Sequence, residues 1–113
     1  MLFRSRHDVA GWYHEGLPRV RFQESPIYTS HAHWAVSGLM RHDPVALAHH
    51  LRAHGIDSRP VFPPMHWMPM YRTAQRFPVA EALHREGLVL PTHAQLTSED
   101  VARVCAVIKG FHA

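Results

Sequence analysis

A small α+β (α/β) domain, in which a short-stranded sheet is covered by helices on one side, is what this 113-residue sequence predicts. Three observations carry that expectation. Apolar residues recur at helical spacing in several stretches, short extended runs lie between them, and glycine or proline marks nearly every junction. The length suits one domain with a modest core, 46% of residues are hydrophobic, and no apolar run approaches the roughly 18 residues of a membrane span.

Each element has its own signal. Residues 4–16 read as a helix with Val9, Trp12, Tyr13 and Leu17 on one face, closed by Gly16 and Pro18. Two extended pieces follow, 19–22 and 33–40, and in the second Trp34, Val36 and Met40 alternate with more polar partners. Residues 23–30 between them are the one linker candidate. Asp43 and Pro44 supply an N-cap and a first-turn proline for a helix over 44–54 that carries Val45, Ala48 and Leu51, and Gly55 stops it. A strand over 58–62 leads into a proline-punctuated loop. Pro78 opens a helix that ends at Gly87, and 88–90 is a brief apolar strand. Residues 97–111 form the last helix, with Thr97 as N-cap, Asp100 three residues on, Val101, Val104, Cys105 and Ile108 on one face, and Gly110 as terminator.

Most of these segments read as scaffold, but Gly55 to Tyr71, GIDSRPVFPPMHWMPMY, reads as a built surface. Prolines 60, 63, 64 and 69 fix φ and lower the entropy of the unfolded chain, so the loop can hold Phe62, Met65, His66, Trp67 and Tyr71 in set positions. Arg59, at a strand end, presents a planar guanidinium suited to phosphate or carboxylate. Pairing with a nearby acid is its plainer alternative.

That stretch, followed by FPVAEALHREGLVLP (Phe77 to Pro91) and LTSEDVARVCAVI (Leu96 to Ile108), resembles the C-terminal part of the sugar aminotransferases of the DegT/DnrJ/EryC1/StrS family. HWAVSGLM (His33 to Met40) sits where the family has an aromatic-rich strand, and DVAGWYHEGL (Asp8 to Leu17) resembles the end of the helix entering this domain. The Arg59-Pro60 pair and the Pro64-Met65-His66 triplet lean toward the GDP-perosamine synthase branch. The resemblance spans the chain but only the final part of the family's pattern.

The resemblance implies the small C-terminal domain of an aspartate-aminotransferase-like, fold type I, pyridoxal-phosphate enzyme. Residues 1–26 would be the connecting helix and first strand and 27–113 the small domain, with the large cofactor domain absent. In the complete, homodimeric enzyme an amino group passes, commonly from glutamate, to a 3-keto or 4-keto nucleotide sugar; this chain is expected to be a fragment, inactive alone. Carried over residue by residue, the substrate-binding candidates are Ser30, Trp34, Arg59, Phe62, His66, Trp67 and Tyr71. His66 and Tyr71 would make polar contacts, Phe62 and Trp67 would form walls, and Ser30 and Trp34 would lie close by; the bland alternative makes the aromatics core and His66 a satisfied histidine. None is expected to be catalytic or to bind cofactor. The chemistry needs a Schiff-base lysine, and the single lysine, Lys109, falls in the last helical turn, where a cation complements the helix dipole. No pyridoxal phosphate is therefore expected on this chain alone. Loss of the large domain is also expected to bare Val9, Trp12, Tyr13 and Trp34.

Charge narrows the partners. The net charge is +3, but eleven arginines and one lysine are interspersed with nine acids and form no stripe, so nucleic acid is not expected. The N-terminal MLFRSRHD lacks the apolar core of an export signal, and neither a membrane nor export is expected, which points to the cytoplasm. Cys105 reads as a buried thiol. Twelve histidines raise a metal-binding alternative: His50 and His54 at i and i+4, His31 and His33 at i and i+2, with others scattered at 7, 14, 42, 84, 93 and 112. HHLRAH lacks a metalloprotease glutamate, and no metal site is expected. A binding or assembly module that docks on a separate large-domain polypeptide is the other alternative.

Overall fold

The computed structural model describes residues 2–111, with side chains from Ser5 onward; His112 lies outside them. Helix α1 (Leu2–Gly16) leads through a turn to β1 (Arg21–Phe22), and an irregular stretch leads on to β2 (Val36–Leu39). Helix α2 (Pro44–Ala53) and β3 (Arg59–Pro60) precede the proline loop, after which come α3 (Pro78–Glu86), β4 (Gly87–Leu90) and α4 (Ser98–Lys109). The four strands form one antiparallel sheet in the order β1-β2-β4-β3.

Register places the core. Val36 faces Leu90 and Gly38 faces Leu88 across the central pair, and these positions are buried while Ser37, Leu39 and Val89 between them are only half-buried. The buried face meets Val9, Tyr13 and Leu17 of α1 and its exit, Leu47 and Leu51 of α2, and Val101, Val104, Cys105 and Ile108 of α4. Alpha-helical spacing marks these faces in α1 and α4; in α2 it picks Val45, which is 64% exposed, whereas Leu47 enters the core beside Leu51. The caps also match: Asp43 accepts from the Val45 N–H at 3.1 Å, and Thr97 and Asp100 form a reciprocal capping box. Gly55, at φ 76°, supplies the left-handed residue that ends α2. At Gly16 a Cβ would lie 2.6 Å from Cys105 Sγ, so α1 and α4 cross closely only because that position has no side chain.

Three further expectations are corrected. The strand expected over 33–40 begins only at Val36, because His33 adopts φ 52° and its N–H bonds His31 Nδ1, a local polar turn that competes with the ladder. The strand expected over 58–62 shrinks to Arg59–Pro60, since Pro60 has no N–H to donate and the prolines beyond it turn the chain away. Val9 and Tyr13 are not bared: α4 covers them, Trp12 is half-buried, and of the four only Trp34 is exposed.

Tyr13 closes the core chemically as well as sterically. Its ring has no solvent exposure, and its hydroxyl donates to the Pro91 carbonyl at 2.7 Å, tying α1 to the end of β4. Burial, with the nearby Cys105, pushes the Tyr13 hydroxyl far above the usual phenol range. A Tyr13→Phe variant should lose about 1–3 kcal/mol of unfolding free energy, read in urea melts, because the Pro91 carbonyl is left without its donor.

Candidate functional site

Between β3 and α3 the chain makes two single 3₁₀ turns, Met65–Trp67 and Pro69–Tyr71. Pro64 stands at the start of the first and Pro69 opens the second, the positions where a missing N–H costs nothing. Hydrophobic burial does not hold this loop: Phe62 is 76% exposed, Met70 78% and Tyr71 53%. Polar contacts to α3 do.

The centre of those contacts is Glu81, the one buried charged residue among those described, at 2% exposure. Its carboxylate accepts from Arg76 Nε at 3.1 Å, from the Phe77 N–H at 3.0 Å and from His66 Nε2 at 3.1 Å, while Arg76 Nη2 closes a second arm of the guanidinium fork. Arg76 is itself 75% exposed and lies between the carboxylate and water. The Arg76 bonds and the Phe77 N–H hold the Glu81 carboxyl down at about 2, against the opposing pull of burial. In the same stroke Glu81 caps α3, whose N-terminal residue Phe77 has no side-chain oxygen to do so. Further along α3, His84 Nδ1 donates to the Val61 carbonyl at 2.6 Å, and its ring meets Trp67 edge-on at 5.4 Å. His66 packs on Phe77 at 4.7 Å. Both ends and the middle of the loop are thus pinned to one helix.

The seven candidate residues fall into separate places. His66 and Trp67 line an open cleft of about 390 Å³ with Arg72, Thr73, Arg76 and Glu81. Trp34 and Arg59 line another, of about 770 Å³, with Arg6, His93 and Arg103. Ser30, Phe62 and Tyr71 are exposed outside both. Arg59 has the plainer partner that the sequence allowed, a long 4.0 Å pairing with Asp57, which also meets Arg52. Phe62, Trp67 and Tyr71 are exposed rather than core, whereas His66 is a satisfied histidine. Glu81, Arg76 and His84 were missed by the sequence reading. An acid in the first turn of a proline-opened helix was the available signal, and it reads first as a dipole-complementing surface residue.

The histidine pairs stay local. His54 Nδ1 donates to the His50 carbonyl, the rings of His31 and His33 stack at 4.2 Å, and among the described residues no group of three or more metal-ligating side chains could hold an ion. No helix among them is long and apolar enough to cross a membrane.

This geometry accompanies a clear relationship. The sequence model of the DegT/DnrJ/EryC1/StrS aminotransferase family matches residues 1–109, and the chain belongs to that family. It is 40% identical over 86 residues to the GDP-perosamine synthase of Escherichia coli O157:H7, covering 74% of this chain and 24% of that protein. Against the GDP-perosamine synthase of Caulobacter vibrioides it is 36% identical over 115 residues, covering 92% of this chain and 31% of the relative. The crystal structure of a DegT DnrJ EryC1 StrS aminotransferase from Brucella abortus superposes with a TM-score of 0.87 at 29% identity, over 98% of this chain and 31% of that one. The chain therefore spans under a third of the length of these proteins.

The clamp makes a pH-dependent prediction. A carboxyl held at about 2 when folded and near 4.5 when unfolded adds stability that is complete above pH 4.5 and is lost as the pH falls toward 2. Glu81→Gln should therefore melt earlier than wild type in urea at pH 7, and the two should converge as the pH falls through that window. The same variant should expose residues 62–76 to limited proteolysis at pH 7.

Proposed function

We propose that this chain is the C-terminal small domain of a pyridoxal-phosphate-dependent nucleotide-sugar aminotransferase acting in the cytoplasm as a homodimer, and that it is inactive alone. Within the complete enzyme it binds substrate rather than doing the chemistry. The observation that carries the reading is the clamp: in a chain matching the family over residues 1–109, a buried carboxylate is spent on holding an exposed loop that has no core of its own. Ordering such a loop before substrate arrives reduces what binding must spend on it. His66 and Trp67 bring an imidazole and an indole to one cleft, Arg59 and Trp34 a cation and an aromatic ring to the other, groups that suit the hydroxyls, phosphates and base of a nucleotide sugar.

Lys109 does not fit the Schiff-base role. It is exposed in the last turn of α4, surrounded by water where such lysines are activated by desolvation or a neighbouring charge in a closed site. Pyridoxal phosphate would supply the electron sink for amino transfer from parts of the enzyme beyond this chain. Residues 1–26, as connecting helix and strand, would join that part to 27–113.

The buried state of Val9 and Tyr13 favours a second reading, in which the chain folds by itself and docks on a separate large-domain polypeptide. A monomeric chain with one cooperative urea transition would support it; aggregation or a non-cooperative melt would not.

The main reading is tested by replacing the matched segment of the Caulobacter GDP-perosamine synthase with this chain. The chimera should load pyridoxal phosphate and transaminate a keto-sugar nucleotide, and His66→Ala should raise KM for the sugar nucleotide about ten-fold with little change in kcat. A folded, cofactor-loaded chimera that transaminates no sugar nucleotide would overturn it.

A further inference from the structure

A cleft of about 540 Å³ opens where the exit of α1, the turn between β2 and α2, and the end of α4 converge. It shares no lining residue with the loop cleft or the Trp34 and Arg59 cleft. Its floor is hydrocarbon: Leu17, Met40, Leu47, Ile108 and Phe111 are all buried core residues. Its rim carries Arg19, Arg41 and Lys109, together with His42, whose ring meets Phe111 edge-on at 5.2 Å. No aspartate or glutamate lines it.

The rim is electrostatically unfinished. Among the described residues none of Arg19, Arg41 and Lys109 has a carboxylate within ion-pair distance, as holds for every arginine but Arg52, Arg59 and Arg76; what sets these three apart is that they share one concavity. Three cations gathered around one apolar concavity repel each other weakly through water and create a positive potential focused by the low-dielectric floor. An anion relieves that repulsion, and guanidinium forks suit the planar or tetrahedral oxygens of carboxylate and phosphate. An ion alone leaves the floor wet, whereas a ligand with an apolar body covers it, and the volume is within the range of small-molecule pockets.

We propose that this cleft binds a small amphiphilic anion, an alkyl or aryl body ending in a carboxylate or phosphate, with its head on Arg19, Arg41 and Lys109 and its body on Leu17, Met40 and Phe111. The site is separate from the nucleotide-sugar reading and does not depend on it.

Amide chemical-shift mapping of the isotope-labelled chain tests it, with octanoate and octyl phosphate as charged probes and octanol and sulfate as the body and the head alone. At least one charged probe should shift the amides of 17–20, 40–42 and 108–111 saturably, and should bind about ten-fold more tightly than either octanol or sulfate. The tighter of the two charged probes identifies the head group. An Arg41→Gln, Lys109→Gln double variant, altered only at exposed positions, should keep the melting temperature and lose about ten-fold in affinity. Shifts confined to the exposed loop at 62–71, octanol or sulfate binding as tightly as both charged probes, or full affinity in a folded double variant would each overturn the proposal. The comparison among probes uses the wild-type chain, so it decides the question even if the variant does not fold.

Discussion

A carboxylate taken out of water must be given hydrogen bonds, and that requirement at Glu81 organises the loop-bearing half of this molecule. Its side chain collects a guanidinium, a backbone N–H and an imidazole from three points of a chain segment that has almost no buried apolar surface. Each donor belongs to the loop or its exit, and the acceptor belongs to α3, so satisfying one charge fixes the path of about a dozen residues. Removing any donor would leave a buried charge short of partners, which costs more than the bond itself is worth. His84 and Trp67 extend the same fastening along the helix, and the prolines reduce the freedom that the fastening has to overcome.

The other half is held together differently. There α1, α2 and α4 pack on the buried face of the β2–β4 pair, and the contacts are close: Gly16 against Cys105, Tyr13 against the Pro91 carbonyl. Burial of apolar surface supplies the drive in this half, and the buried Tyr13 hydroxyl finds its partner in the Pro91 carbonyl. This division lets a rigid scaffold carry an exposed, chemically varied loop, which is the usual arrangement for a binding site. It also gives a chain spanning under a third of its relatives' length a core of its own: Val9 and Tyr13 of α1, which were expected to be bared, are covered by α4.

The positions of the elements were legible because local chemistry sets them. Asp43-Pro44, Thr97 with Asp100, Gly55 and Pro78 each mark a terminus through hydrogen bonds or dihedral limits within a few residues. Strand lengths were less legible, since a strand persists only where a partner continues it. His33 in the left-handed region and Pro60 without an N–H both cut pairing short, though the apolar pattern ran on. At the site, the proline-rich stretch stood out by composition, and resemblance to a family named it. Which of its side chains converge did not follow: Trp34 and Arg59 line one cleft and His66 and Trp67 another, where the resemblance implies one site.

By itself, the sequence determined the α+β class, the order of the helices, the caps of α2 and α4, the apolar faces of α1 and α4, and the kinship of the chain. All of these depend on neighbours a few residues away or on the order of motifs along the chain. Only the tertiary structure decided that Glu81 is buried, that Arg76 and His66 meet on it, that Val9 and Tyr13 are sheltered within the chain, and that three cations gather around a cleft with no acid. Burial of a charge and convergence of side chains depend on distances across the fold, and a first-turn glutamate looks the same in a sequence whether it faces water or a guanidinium.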